Sequence, residues 1–280
     1  MTVFCCPHCG GALTTAGGSA RCAAGHSFDF AGSGYLNLLP PTRRHSEDPG
    51  DNRQMVAARA RFLAGGSYDV LADAVVKQLA DLVPAGGAVL DAGCGEGYFT
   101  AAVRAGLPGA GWVGGVDISK SAVDRAARRH KGCRFAVAGV HALPVADGSL
   151  AAVTNLFAPH DEREFWRVLQ PGGHLLVAAP GPRHLWGLKR VLYEVPYQNP
   201  PFAYRPAGFS LCRQTAVTTQ LQLSDPQQIA DLFAMTPYCY RTPPQKAEEL
   251  LGRQQLDTPI EFVLALYQKL PPEAENGSCL

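Results

Sequence analysis

Two groups of residues carry chemistry in this sequence. The first is Cys6, Cys9, Cys22 and His26. Cys6-Pro-His-Cys9 is a C-x-x-C knuckle; twelve residues then separate Cys9 from Cys22, and three separate Cys22 from His26. Thiolates and an imidazole at these spacings suit a tetrahedral zinc ion, with two tight turns each supplying two ligands. Four ligands and no obvious fifth predict a closed structural site. A module this short buries little core, so the metal would supply most of its folding free energy. Cys5 is an alternative to Cys6, but its spacing to Cys9 is one residue too long for the usual knuckle. His8, inside the knuckle, is expected to face outward.

The second group is built on a glycine turn. Ala88, Val89 and Leu90 form an apolar run that reads as a buried parallel strand ending in Asp91. Gly93-Cys94-Gly95-Glu96-Gly97 follows, and a helical pattern starts at Tyr98. The glycines permit a sharp turn and let a small ligand approach the backbone. A dinucleotide fingerprint would need Gly at position 98, where Tyr stands. Residues 113–117 read as the next strand and end in Asp117. A carboxylate there can accept hydrogen bonds from two ribose hydroxyls at once.

The G-x-G-x-G spacing, with Asp91 two residues ahead of Gly93, resembles motif I of class I S-adenosylmethionine (SAM) methyltransferases. The resemblance implies that the loop wraps the methionine part of SAM. It also implies an α/β fold: a Rossmann-like, mostly parallel seven-stranded sheet. Asp91, Gly93, Gly95, Glu96, Gly97 and Asp117 would line the cofactor. In many such enzymes an acid after the third strand bonds the adenine amine. Gly139 stands there in this chain, so backbone groups of Val140 or His141 would take that work.

The elements that must position these groups follow in order. The chain has 280 residues, 46% hydrophobic and 18% charged, which supports one large domain plus a small module. A net charge of +1 excludes a uniformly basic surface, so any nucleic-acid contact must use local patches. No apolar run reaches membrane-spanning length, and no secretory signal is visible, so a cytoplasmic protein is expected. Four of the nine cysteines fall in the first 22 residues, which favours metal over disulfides. Residues 1–40 are assigned to the zinc module and 41–84 to a linker and approach helices. Residues 85–270 form the methyltransferase domain and 271–280 a disordered tail.

Phe28, Phe30, Tyr35 and Leu38 are read as closing the zinc module, with stacking on RNA bases as the alternative. Helices are expected over 55–63 and 68–82, the second with Leu71, Val75 and Leu79 inward. Arg43, Arg44, Arg53, Arg59 and Arg61 form either a phosphate-binding stripe or a solvated face. Ser119 should cap a helix rich in Arg125, Arg128, Arg129 and Lys131. Strands are expected over 133–138, 150–156 and 174–179. Residues 213–223 and 260–270 should form the antiparallel end of the sheet, with a helix over 225–234 between them. The proline- and aromatic-rich stretch 195–209 reads as an insertion shaping the substrate site.

The whole combination resembles the RlmA (RrmA) family of 23S rRNA guanine-N1 methyltransferases. The likeness rests on Cys-Pro-His-Cys at 6–9, Cys22 to His26, Phe28-Asp29 and Gly34-Tyr-Leu-Asn-Leu-Leu39. It continues in Asp48-Pro-Gly-Asp51, the glycine loop, Gly181-Pro-Arg-His-Leu185 and Met235-Thr-Pro237. It implies that the zinc module recognises RNA and that the core methylates N1 of a guanosine in a 23S rRNA hairpin loop. It further implies a homodimer and cofactor contacts at Tyr68, Gly95, Glu96 and His184. Without it, His184 reads as a helix-start residue bonding backbone.

The target base should meet the methyl group at the loop after the fourth strand, since ligands bind beyond the carboxyl ends of parallel strands. N1 must lose a proton, and the candidate bases are His160, Asp161 and His141. Asn155, or the backbone over 157–159, would hold the base edge. Two other readings compete: a small-molecule, quinone-type methyltransferase, and a non-catalytic zinc-ribbon RNA-binding protein. The first leaves the cysteines unexplained, and the intact Asp91, glycine and Asp117 set argues against the second.

Overall fold

The computed structural model describes residues 3–41 and 50–271. Arg43, Arg44, the start of the Asp48-Pro-Gly-Asp51 stretch and residues 272–280 of the expected tail lie outside them.

Three short strands, β1 (Thr14–Ala16), β2 (Ser19–Arg21) and β3 (Ser27–Asp29), form an antiparallel sheet that carries the N-terminal cysteines. Then come β4 (Leu36–Asn37), α1 (Arg53–Ala64) and α2 (Asp69–Leu79). The central run is β5 (Ala88–Ala92), α3 (Tyr98–Gly106), β6 (Trp112–Asp117), α4 (Lys120–Arg129) and β7 (Arg134–Val137). After it come β8 (Leu150–Leu156), α5 (Glu162–Val168), β9 (Leu169–Pro180) and α6 (Trp186–Leu192). The chain closes with β10 (Phe209–Leu223), α7 (Pro226–Ala234), a 3₁₀ turn, α8 (Pro244–Leu251) and β11 (Leu256–Lys269).

The large sheet has the order β10-β11-β9-β8-β5-β6-β7-β4. Pairs from β9 through β8, β5, β6 and β7 to β4 are parallel, and β10 and β11 supply the antiparallel end. Adjacent residues of one strand enter different cores, as the period of two requires. Val89, Leu176 and Ala178 pack with α1, α2, α6 and α7. Leu90, Leu175 and Val177 pack on the opposite face with α5 and the N-terminal residues Phe4 and Leu13. Leu71, Val75 and Leu79 are fully buried along α2, and Ser119 caps α4 by accepting from Ala122 N.

Two expectations change. The sheet has eight strands rather than seven, because Leu36–Asn37 pairs in parallel with β7. Nor do Tyr35 and Leu38 close a separate module, although Phe28 stacks on His8 within the ribbon. Tyr35 packs with Val123, Ala126 and Phe135, and Leu38 joins the second face of the large sheet. The three-stranded ribbon is too small to cover this apolar surface, so the surface is buried against the large sheet instead. Phe4 meets Trp112 edge-on at 5.2 Å, and Cys5 N donates to Pro144 O at 2.7 Å.

The arginine stripe also divides. Arg61 pairs with the buried Asp231 of α7, Arg59 turns toward the glycine loop, and Arg53 opens onto a separate pocket. No helix among the described residues is long and apolar enough to cross a membrane.

Candidate functional site

Cys6, Cys9, Cys22 and His26 converge, their donor atoms all within 4.8 Å of one another. His26 Nδ1 lies 3.5 Å from Cys6 Sγ and 3.3 Å from Cys22 Sγ, and Cys9 Sγ is 3.6 Å from Cys22 Sγ. A tetrahedron with zinc–ligand bonds of roughly 2.1–2.3 Å has edges of about 3.6–3.8 Å, so the set fits a zinc ion. Burial opposes ionisation of Cys22, yet its hydrogen bonds with His26 prevail and hold the thiol down to about 6. That favours the thiolate a metal needs. Cys5 points away, toward Val3 O, and the exposed His8 stacks on Phe28.

The glycine loop hangs between β5 and α3. Gly93 and Cys94 both donate to Val116 O, which ties the loop to β6. Gly93 has φ +88°, and an added Cβ would lie 2.2 Å from Ala158 Cβ in the loop after β8. Both the sign of φ and the space demand glycine. Gly93→Ala is therefore expected to lower stability by at least about 2 kcal/mol and to weaken SAM binding. Thermal unfolding and calorimetric titration check this; an unchanged melting temperature with unchanged affinity would contradict the packing argument.

Asp91 lies behind the loop, not in it. Its oxygens accept from Thr100 Oγ1 at 2.6 Å and Thr154 Oγ1 at 2.9 Å. Burial pushes its carboxyl up to about 6 despite both bonds. Asp91 thus fastens α3 and β8 to β5 and fixes the loop from beneath. Asp117 accepts from Gly95 N at 2.9 Å and Ser119 N at 2.8 Å, so its carboxylate is already oriented by backbone. Burial raises its carboxyl as well.

Glu96 is 4% exposed, and its Oε2 has no hydrogen-bond partner. Arg59 Nη1 stands 3.9 Å away, while Arg59 Nη2 holds Asp51. Burial raises the Glu96 carboxyl in spite of that guanidinium. A buried acceptor without a donor is costly, and SAM carries donors in its ammonium group and ribose hydroxyls. The loop, Glu96 and Asp117 therefore fit SAM.

Tyr68 and His184 are buried and pack together, their ring centroids 6.5 Å apart. Phe262 of β11 lies 5.0 Å from Tyr68 and 4.8 Å from His184 between ring centroids. Burial drives His184 down to about 3. Its Nδ1 accepts from Glu261 N at 3.3 Å, so the ring is neutral and its hydrogen sits on Nε2. His184 is a donor here. Val140 is buried beside β7, and the His141 ring bonds Asp161 at 2.9 Å.

The loop after β8 brings Asn155 and His160 together. Asn155 is fully buried, and its amide donates to Ala92 O at 2.8 Å and Pro159 O at 3.0 Å. Only an NH₂ group can serve two carbonyls, so Oδ1 must accept, and His160 Nδ1 donates to it at 2.5 Å. This fixes the tautomer of His160 and leaves an unprotonated Nε2. The His160 ring stacks on Tyr204 at 4.4 Å, and burial lowers its pKa below the ordinary value. Asp161 is occupied twice, capping α5 through Glu164 N and bonding His141.

Arg59 and the ring of Phe157 are residues that sequence reasoning did not assign to the site, and Tyr204 lies in the 195–209 stretch expected to shape it without having been singled out. Phe157 has φ +59° and is 44% exposed at the carboxyl end of β8. Left-handed backbone at an aromatic residue is uncommon and collects at functional sites.

Comparison with known proteins agrees with this geometry. Residues 4–47 match the RlmA N-terminal family, and residues 89–173 match the methyltransferase-domain family. A relative from Micromonospora griseorubida, named for 23S rRNA (guanine-N(1)-)-methyltransferase activity, is 37% identical over 86% of this chain and 88% of its own. The 23S rRNA (guanine(748)-N(1))-methyltransferase of Streptomyces fradiae is 41% identical over 64% of each chain. Among solved structures, a type II methyltransferase from Anaeromyxobacter dehalogenans shares the fold, with a TM-score of 0.51 and 21% identity over 71% of this chain and 96% of its own. With a complete cysteine–histidine cluster ahead of a complete glycine loop, the chain belongs to the RlmA family of 23S rRNA (guanine-N1)-methyltransferases.

Proposed function

We propose that this protein methylates N1 of one guanosine in a hairpin loop of 23S rRNA, using SAM, with the zinc ribbon recognising the RNA. The observation that supports this most is the union of the metal cluster and the glycine loop in one chain, beside 37% identity to the Micromonospora griseorubida relative over 86% of this chain. A ribosomal substrate supports a cytoplasmic location, and the family resemblance supports action as a homodimer. A quinone-type methyltransferase would need no zinc ribbon, and a non-catalytic binder would need no cofactor loop.

SAM, when bound, supplies an electrophilic methyl carbon on a sulfonium. Glu96, Asp117, the loop glycines, Tyr68 and His184 would hold it, with backbone at Val140 and His141 available for the adenine. The target guanine leaves its stack and enters the mouth beyond β8. N1–H is a weak acid, and its proton must go to an acceptor as N1 attacks. His160 Nε2 is that acceptor, because Asn155 holds the proton on Nδ1 and burial keeps the ring neutral. Asn155 is a positioning residue, since its amide is committed inside the chain. The backbone over 157–159 is left to hold the base edge. Asp161 and His141 brace the loop.

The test is transfer of labelled methyl from SAM into 23S rRNA lacking the modification, followed by nucleoside analysis. The expected product is 1-methylguanosine. Label at another guanine atom would overturn the N1 assignment, and no label in any rRNA would overturn the RNA reading.

A further inference from the structure

Four cations converge on a pocket whose lining includes none of the residues assigned above to the cofactor or the base. Arg53 opens α1, and Lys120, Arg125 and Arg128 rise along one side of α4. With Tyr35 and Asp124 they line a cavity of about 520 Å³. Asp124 is the acid among its described lining residues, and it is already bound by Arg128 Nε at 2.8 Å and Ser33 Oγ at 2.7 Å. Among the described residues, Arg53, Lys120 and Arg125 have no carboxylate within ion-pair distance. Arg125 Nε is buried with no hydrogen-bond partner. A guanidinium N–H taken from water without an acceptor is costly. Among the described residues the pocket is therefore short of a negatively charged acceptor, and the start of α4 adds a favourable dipole for an anion. A phosphate group supplies both the charge and the oxygen acceptors, and arginine is well shaped to bind it.

We propose that this pocket seats a backbone phosphodiester of the RNA substrate, outside the base and cofactor sites. The proposal rests on the function proposed above. It also gives the N-terminal segment a second role: Ser33, through Asp124 and Lys131, helps hold the pocket wall. The chain's net charge is only +1, so a compact cationic pocket is the form a phosphate contact must take here.

The experiment uses the full-length protein and a labelled 23S rRNA hairpin, with affinity measured against salt concentration. Arg53 and Lys120 are both exposed, so the double variant Arg53→Gln/Lys120→Gln should keep the fold; Arg125→Gln is made separately. Each is expected to bind RNA about tenfold more weakly, with the log–log salt slope smaller by about one for each phosphate no longer neutralised. SAM affinity should not change, and Arg253→Gln, an exposed change just after α8, should alter neither quantity. A wild-type slope in both variants, while the unaltered protein methylates the hairpin, would overturn the proposal. Failure of the unaltered protein to bind or methylate RNA would instead overturn the functional reading, and the proposal with it. Inorganic phosphate that stabilises wild type but not the double variant, with identical RNA slopes, would assign the pocket to free phosphate and reject the RNA role.

Discussion

His160→Ala should lower kcat about 100-fold while leaving SAM affinity unchanged. The expectation comes from the chain of bonds Ala92–Asn155–His160. Two backbone carbonyls fix the amide of Asn155, the amide fixes the tautomer of His160, and the tautomer leaves Nε2 free to take the N1 proton. His160→Gln keeps some volume but has no basic nitrogen, so it should fail as badly as alanine. Asn155→Ala frees the imidazole to adopt either tautomer and should cost less, roughly tenfold. Because the two residues act as a unit, the double variant should be little worse than His160→Ala alone.

The pH profile separates this role from a merely structural one. The imidazole is the base only when unprotonated, and burial lowers its pKa below the ordinary histidine value. The acid limb of wild-type kcat should therefore fall on the low-pH side of the ordinary imidazole pKa. Below the lowered pKa kcat should decline about tenfold per unit. His160→Ala should lose that acid limb. A profile unchanged in His160→Ala, or a loss of only a few-fold, would leave positioning by the loop backbone as the source of catalysis.

Cys22→Ser, or removal of zinc by a chelator, should destabilise the whole protein rather than release a floppy appendage. The ribbon's donor atoms are within 4.8 Å of one another, and without the ion three thiol groups and an imidazole crowd one point. Structural zinc contributes on the order of 10 kcal/mol to isolated ribbons, so a loss of ~3 kcal/mol or more is expected even if the scaffold retains part of the fold. For a chain of this size, that lowers Tm by roughly 6–12 °C. The coupling is structural. Leu36–Asn37 forms the edge of the large sheet, Leu38 N donates to Val137 O at 2.9 Å, and Phe4 meets Trp112. One unfolding transition at lower temperature is expected. A methyltransferase core that melts at its original temperature after zinc removal would show that the ribbon and the large sheet unfold independently.

Local signals made much of this legible. The apolar run before Asp91, the glycine turn, and the acids at 91 and 117 identify a cofactor loop because each feature depends on only a few neighbouring residues. The cap at Ser119 and the four metal ligands are of the same kind. What escaped depends on distant packing. A two-residue strand such as Leu36–Asn37 has no periodicity to read, and only β7 makes it a strand. Arg53, Arg59 and Arg61 read in the sequence as one stripe, yet offsets of six and then two residues point Arg59 to a different side of α1 from the other two, and the three end in separate places, with Arg61 on Asp231, Arg59 beside Glu96 and Arg53 opposite α4. Asn155 reads in sequence as free to hold the base edge, but both its amide hydrogens are committed to carbonyls of the chain. The stacking of Tyr204 on His160 joins residues far apart in sequence, and the left-handed backbone of Phe157 has no marker in its side chain.

The central claim is that this chain puts one methyl group on N1 of one guanosine in 23S rRNA. Reverse transcription of 23S rRNA after incubation with the purified protein and SAM tests it most directly. N1 lies on the Watson–Crick edge, so a methyl there blocks the copying enzyme. The account predicts a SAM-dependent stop at a single guanosine in a hairpin loop, present with wild type and lost with His160→Ala. Full-length copying throughout, from protein that still binds SAM, would contradict it.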